Sequence, residues 1–331
     1  MKLGIVIPCY NEEEVLPETI RQMTGLVSRL VALGKISVDS KIYFVDDGSK
    51  DRTWAMVEQH ARQNCHVAGV KLSRNCGHQN ALLAGLFSAE GDAIISIDAD
   101  LQDDINTIEQ MVDCFNAGAE VVYGVRKRRE TDTAFKRFTA ESFYKLIAAL
   151  GAESVYNHAD YRLMSRRAIE SLRQYPEVNL FLRGIVPLIG FNSEVVYYDR
   201  ISRFAGESKY PLRKMIALAL DGITSFSVVP LRIVTLVGFI IFLGSMLVTL
   251  WALWARFFTN DAVPGWTSVV LPMYFLGGIQ ILCIGMLGEY LGKVYAEVKS
   301  RPRFFIEKTV LGVAIVTGTT DRPEQPVSSR V

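Results

Sequence analysis

At 331 residues, half of them hydrophobic and 21% charged, the chain is long enough for one substantial domain plus an appendage, and its apolar residues gather after Arg232. A net charge of +1 excludes recruitment to nucleic acid by bulk charge, so any contact with a polyanion is local. Cys9, Cys65, Cys76, Cys114 and Cys283 form no CxxC or Cys/His ligand cluster, which leaves reduced, structural thiols in a cytosol-facing protein.

The start, MKLGIVIPCYNEEE, has only a short apolar run before its acids, so no cleavable signal is expected and the N-terminus stays cytoplasmic. Up to about Gly124 the strand candidates LGIVIP, KIYFVDD, VAGVKLS, AIISIDAD and EVVYG alternate with helical patterns. Such alternation predicts an α/β fold, a mostly parallel sheet with helices on both faces. Further on, AFKRFTAESFYKLIAAL can gather Phe135, Phe138, Phe143, Leu146, Ile147 and Leu150 on one side, with Lys136, Arg137 and Lys145 at the margin. It reads equally as a helix on the membrane surface or as an ordinary domain helix. PLRKMIALALDGITSF is similar and leads into an uncharged run from Ile233 to Ala255, about 34 Å long as a helix. A second uncharged run, Ala262 to Gly288, contains Pro272 and several glycines, which membrane helices tolerate.

No Lys or Arg lies in FFTNDAVPGW between these runs, whereas Arg200, Arg203, Lys209, Arg213, Lys214, Lys293, Lys299, Arg301 and Arg303 flank their outer ends. Both termini are therefore expected in the cytoplasm, with Trp251, Trp254 and Trp266 at the far interface. The expected organisation is a cytoplasmic domain over 1–210, an interfacial helix over 211–231, and membrane helices over 232–256 and 267–291 joined by a non-cytoplasmic loop over 257–266. The cytoplasmic segment 292–331 ends in a polar, disordered tail. Gly277, Gly278, Gly285 and Gly288 would let spans pack closely, as in a homo-oligomer.

In a parallel sheet covered by helices, ligands bind beyond the carboxyl ends of the strands. Asn11 and Glu12 follow the first strand, Asp46 and Asp47 the second, and Asp98 and Asp100 the fourth, so one pocket can collect all three groups. No glycine-rich dinucleotide or P-loop signature accompanies them. In DADLQD, two carboxylates one residue apart at a strand end offer hard oxygen ligands to Mg²⁺ or Mn²⁺, which would neutralise a diphosphate leaving group. A plain turn with Asp103 or Asp104 capping the next helix would leave Asp98 and Asp100 unexplained. In VDDGSKDRT, Asp47-Gly48 makes a turn, and Ser49 or Asp51 suits a helix cap.

IPCYNEEE, VDDGSKDRT, LSRNCGHQNALLAGL and DADLQD, in that order, resemble the nucleotide-sugar motifs of glycosyltransferase family 2. HADYRLMSRRAI, then RFAGESKYPLRKM and two terminal spans, resembles its polyprenyl-phosphate branch, nearest the bactoprenol glucosyltransferases and related to dolichol-phosphate mannose synthases. The likeness covers about residues 3 to 305; Asp104 departs from it, standing where members usually have Pro. It implies a GT-A-like fold in which Pro8, Tyr10, Asn11, Glu12 and Asp47 hold the nucleotide, Asp98 the nucleotide-sugar and Asp100 the metal, with Gln102 beside them. The implied reaction moves a sugar, a hexose, to undecaprenyl phosphate at the cytoplasmic face of a bacterial inner membrane; glucose from UDP-glucose is the donor the resemblance favours, with mannose, N-acetylhexosamine and aminoarabinose donors left open.

A lipid phosphate is mostly dianionic at neutral pH and already a nucleophile, so in-line attack inverts the sugar linkage without a covalent enzyme intermediate. Asp160 is then a candidate to orient the acceptor or to act as a base. Arg126, Arg128, Arg203, Ser208 and Lys209 are candidates to grip phosphate. His158 beside Asp160 has no Ser or Cys nucleophile to activate and reads as structural. Two rivals are a DxD-type phosphotransferase or phosphatase, whose nucleophilic acids follow the first strand rather than the fourth, and a scaffold that binds nucleotide-sugar without catalysis.

Overall fold

In LGIVIPC, side chains alternate across the strand, so Leu3, Ile5 and Ile7 bury on one face while Val6 buries on the other. A strand apolar on both faces needs cover on both. The computed structural model describes residues 1–126, 158–177, 182–199, 229–258, 266–312 and 314–316. Arg128, Arg203, Ser208, Lys209, the amphipathic segments 134–150 and 211–226, residues 259–265 of the loop and the tail from 317 lie outside the described residues.

All five expected strands form: β1 (Leu3–Cys9), β2 (Lys41–Asp46), β3 (Val67–Leu72), β4 (Ala93–Ser96) and β5 (Val121–Arg126). Four further strands follow, β6 (His158–Ser165), β7 (Ser193–Tyr198), β8 (Ile306–Leu311) and β9 (Ala314–Val316). They make one sheet in the order β7-β5-β6-β4-β1-β2-β3-β8-β9. Its centre, β4-β1-β2-β3, is wholly parallel, as expected. The flanks are not, because β6 runs antiparallel to both β4 and β5, and β8 antiparallel to β3.

Helices α1 (Leu16–Ala32), α2 (Thr53–Gln63) and α4 (Thr107–Asn116) cover the face that carries Leu3, Ile5, Ile7, Ile42 and Phe44. On α1 the buried positions Leu16, Ile20, Met23, Val27 and Leu30 recur at helical spacing, and Pro17 lies in its first turn, where no N–H is needed. Helices α3 (His78–Ser88), α5 (Arg166–Arg173) and α6 (Leu182–Leu188) cover the face of Val6, Tyr43 and Val45. Ser165 caps α5 by accepting from the Ala168 N–H at 3.0 Å.

The site's place is set by where β4 stops. β4 pairs with β1 only from Leu3 to Val6, so at Pro8 the strand has one neighbour, β2. Proline, which has no N–H for a ladder, is tolerated there. Beyond that point β1 and β4 part, at the position where the strand order reverses and a crevice opens at the carboxyl ends.

Helices α7 (Val229–Phe258) and α8 (Trp266–Val298) form on the two uncharged runs and outgrow the expected 232–256 and 267–291. Part of their side chains lies outside the description. Among the described residues no helix is long and apolar enough to cross a membrane. The side chains that are described include exposed Leu236, Phe239, Ile240, Leu247 and Trp254 on α7, and Met273, Ile281, Ile284 and Leu291 on α8.

After α8, and ahead of the tail from 317, the chain returns to the sheet. Arg303 donates to the Tyr175 carbonyl at 2.6 Å, the Ser73 N–H donates to the Phe305 carbonyl at 3.0 Å, and β8 then continues along β3. Lys71 and Glu307 pair at 3.0 Å, and Val310 is buried. Stopping the chain at Ser300 removes that valine's burial, worth about 1.5–3 kcal/mol, and strips the edge of β3. The midpoint of thermal unfolding of the truncated protein is expected to fall by roughly 4–10 °C; an unchanged midpoint would show that the sheet is complete without β8.

Candidate active site

The loop after β1 and the loop after β2 are laced together. The Asn11 N–H donates to the Ser49 hydroxyl at 3.0 Å, the Lys50 N–H returns a bond to the Asn11 side-chain oxygen at 2.9 Å, and the Glu12 N–H donates to the Thr53 hydroxyl at 2.9 Å. Asn11 adopts a left-handed conformation, φ 54°, which asparagine accepts more readily than most residues. Tyr10, 42% exposed, and Glu12 flank it at the mouth of the crevice, while Pro8 is buried in β1. Ser49 thus serves Asn11, and it is Asp51 that accepts the Thr53 N–H, at 2.9 Å, at the start of α2.

Asp47 is buried, and both its oxygens are engaged, accepting the Cys76 N–H at 2.7 Å and the Gly77 N–H at 2.9 Å. The implied nucleotide ligand is therefore also a clamp on the loop between β3 and α3. Gly48 makes the clamp possible: a Cβ there would stand 2.7 Å from backbone atoms of Arg74 and Asn75, and its φ is 68°. Burial pushes the Asp47 carboxyl up and the two amides pull it back. Asp46 is more deeply buried, accepts the Ser49 N–H with one oxygen, and has no hydrogen-bond partner for the other among the described residues.

At the end of β4 the chain turns sharply through Leu101, whose φ of 53° is unusual for a side chain of that shape. Such a residue costs on the order of 1–3 kcal/mol and persists only where its surroundings hold it. Three sets of contacts do so. The Gln102 N–H donates to Asp100 at 3.1 Å; Asp104 accepts the Asn106 N–H at 3.0 Å in a turn ahead of α4; and the Tyr161 hydroxyl donates to the Asp104 carbonyl at 3.0 Å. Asp104 thus makes its turn by side-chain acceptance, where a proline would have made it by a fixed φ.

Asp103, expected as a cap, is instead the loop's root. It is buried and takes the Tyr198 hydroxyl at 2.6 Å and the Arg126 guanidinium at 3.0 and 3.2 Å. The Asp103 charge raises the pKa of the Tyr198 hydroxyl beyond what burial alone does. Arg126, a candidate phosphate grip, is thus taken up by Asp103 and Tyr198. It braces the DADLQD loop from below, because a buried carboxylate needs a cation of its own.

Asp98, just beyond the end of β4, and Asp160 on the antiparallel neighbour β6 lie close together, and their surroundings shift their pKa values in opposite directions. Asp98 keeps 35% of its side chain open to the crevice. Burial in the surrounding protein raises its pKa to about 6; His78 opposes that, and Asp160, Asp103 and Asp100 add to it. Asp160 is 6% exposed and would also be raised by burial, but Arg162 and Arg183 overcome this and hold it at about 2. Arg162, itself buried, lies two residues along the same face of β6, and Arg183 on α6 makes two bonds of 3.2 and 3.3 Å. A carboxylate so held is a poor proton acceptor and a firm anchor for charge, which favours the orienting role over the base. His158 opens β6, but its side chain lies outside the description.

Sequence reasoning overlooked His78 and Arg183. Nε2 of His78 lies 3.5 Å from Asp98 and 3.8 Å from Asp160. Only the histidine's place at the head of α3, directly after Gly77, hinted at it. Arg162 was overlooked as well; once β6 is seen as a strand, its i, i+2 spacing from Asp160 puts both on one face. Among the described residues no group of three or more His, Cys, Asp or Glu side chains converges to hold a cation. The carboxylates Asp98 and Asp100 suit a small divalent ion that takes its remaining ligands from phosphate and water.

Residues 4–173 match the family described as Glycosyl transferase family 2. The chain is 52% identical to the uncharacterized glycosyltransferase YkoT of Bacillus subtilis, over 92% of this chain and 91% of that one. It is 40% identical to the bactoprenol glucosyl transferase of Shigella phage SfII, over 94% and 99%, and 40% identical to the prophage bactoprenol glucosyl transferase homolog of Escherichia coli, over 93% and 99%.

Replacing Arg126 by Met leaves Asp103 buried with Tyr198 alone. With a quarter of Arg126 exposed, the expected loss is about 2–4 kcal/mol, at or below the range for a broken buried pair. Denaturant unfolding should register it. An unaltered unfolding curve together with a lost affinity for phosphate compounds would return Arg126 to the phosphate-gripping role.

Proposed function

This chain belongs to glycosyltransferase family 2, and from that premise we propose that it transfers glucose from UDP-glucose to undecaprenyl phosphate, inverting the sugar linkage. The observation that carries the reading is the placement of Asp98 and Asp100 at the carboxyl end of β4, beside the crevice where β1 and β4 part. A nucleotide lying across that crevice would bring its diphosphate to these acids. Relatives named as bactoprenol glucosyl transferases, aligned over nearly their whole length, support the donor and the acceptor.

Asp100 would hold Mg²⁺ or Mn²⁺, with Asp98 on the nucleotide-sugar. A divalent ion there supplies charge neutralisation to the departing diphosphate. The chain's own residues do the rest by position. Asp47 and its loop would flank the base and ribose. Arg162 and Arg183 keep Asp160 ionised next to the site of attack, where it can orient the acceptor and stabilise positive charge developing on the sugar. The nucleophile is already an anion, so the transfer does not depend on a well-tuned base.

A lipid acceptor requires the domain to sit at a bilayer. The lengths of α7 and α8, 30 and 33 residues, correspond to about 45–50 Å of helix, and their described apolar side chains lie exposed to whatever surrounds the helices. The described residues alone make no span, but the uncharged runs Ile233 to Ala255 and Ala262 to Gly288 and their cationic flanks favour two membrane helices and a catalytic domain on the cytoplasmic side of a bacterial inner membrane.

The test is mass spectrometry of lipid made by the purified protein from undecaprenyl phosphate, magnesium and a mixed pool of nucleotide-sugars in which only UDP-glucose carries ¹³C. The expected product is a monophosphate lipid bearing one labelled hexose, reduced about 100-fold or more in Asp100→Ala. A lipid diphosphate, an unlabelled product, or no lipid product would contradict the reading.

A further inference from the structure

Four consecutive residues, from the end of the β3–α3 loop into the first turn of α3, tie together separate parts of the crevice. Cys76 and Gly77 donate their amides to Asp47. His78 stands between Asp98 and Asp160. Gln79 accepts the Leu182 N–H at 3.0 Å, at the start of the helix whose next residue, Arg183, is bound to Asp160. Asp47 and Asp98 belong to the donor half of the crevice, Asp160 and Arg183 to the half where the acceptor's phosphate would arrive. No strand pairing joins Asp98 to Asp160, since the ladder between β4 and β6 ends at Ser96 and Arg162.

We propose that His78 is a positioning residue: through Nε2 it holds Asp98 and Asp160 in register, and so fixes the distance between donor and acceptor. The inference rests on the reading of this crevice as a glycosyltransferase site. Two carboxylates facing one another repel, and Asp160 cannot relieve the repulsion by taking a proton, because Arg162 and Arg183 hold it ionised. A hydrogen-bond donor shared between them relieves it. The separations of 3.5 and 3.8 Å are longer than a formed bond, as is common in a site without substrate, where such contacts tighten when the reactants arrive. The His78 ring is 46% exposed and faces the crevice rather than the core, so its removal leaves no cavity in the packed sheet.

The role separates from a merely structural one by which step it affects. Donor nucleotide binds to one half of the crevice alone, whereas transfer needs both halves in register. In the full-length protein in detergent, His78→Ala is expected to lower kcat for glucosyl transfer to undecaprenyl phosphate about tenfold, equivalent to 1.4 kcal/mol. Its affinity for UDP with Mn²⁺, measured by calorimetry, should stay within about threefold of the parent. His78→Gln, which keeps an N–H donor at similar reach, is expected to recover most of the rate. Arg183→Gln acts on the same carboxylate, so its combination with His78→Ala should lose less than the product of the two single losses.

An unchanged kcat in His78→Ala, a loss of UDP affinity by the same factor as kcat, a glutamine variant no better than alanine, or strictly multiplicative losses would each overturn the assignment. A parent protein that binds UDP and Mn²⁺ but makes no glycolipid would instead overturn the proposed reaction, and this role with it.

Discussion

The structure around the crevice depends on one arrangement: a buried carboxylate, Asp160, held by two guanidinium groups from different elements. Stripping a carboxylate of water costs several kcal/mol, and the cost is recovered only with good geometry and paired charges. Arg162 and Arg183 provide both, which ties β6 to α6 at the point where the substrates would meet. The carboxylate stays ionised between its two cations. The pKa of Asp98 opposite it is raised chiefly by burial, with a smaller contribution from Asp160, and His78 stands between the two acids. Environments that drive two neighbouring carboxylates in opposite directions are a mark of sites that do chemistry.

A second buried ion pair, Arg126 with Asp103, does similar work for the DADLQD loop, whose turn at Leu101 is strained. The two pairs differ in kind. Asp160 faces the crevice, where a substrate's charge would be felt, while Asp103 lies underneath and serves only to hold the loop in shape. The strain at Leu101 stays in place because Asp100, Asp103 and Asp104 each carry a fixed bond on either side of it.

The parallel centre of the sheet was legible because each of its strands is a short apolar run ending in a polar cluster, a local signal. The polar residues of the site were legible for the same reason: Asn11, Asp47, Asp98 and Asp100 all lie at or just beyond the ends of those runs. β6 and β8 were not, since HADYRLMS carries Asp160 and Arg162 inside a strand, and IEKTVL alternates too weakly to stand out in a segment beyond the long apolar helices. Pairings between distant residues were also hidden. Arg126 lies 23 residues from Asp103, and Tyr198 lies 95 away, so nothing local separates a bracing arginine from one that grips phosphate. His78 belongs to this group, because its role depends on two strands brought together by the fold.

The β3–α3 loop also carries a connection along the chain. Its first residue, Ser73, is bonded to Phe305, in the segment that leaves α8, while its last residues, Cys76 and Gly77, bind Asp47 and lead into His78, which lies beside Asp98 and Asp160. Helices proposed to sit in the bilayer are thus linked to the donor site through a single strand edge. The account stands or falls on a division of labour in which Asp98 and Asp100 meet the metal and nucleotide while Asp160 stays on its arginines. A crystal structure of the full-length protein with Mn²⁺ and UDP, read by the anomalous signal of manganese, tests it most directly. The ion is expected on Asp100 and the diphosphate, with Asp160 still paired to Arg162 and Arg183. Manganese bound to Asp160, with the guanidinium groups released, would overturn that division of labour.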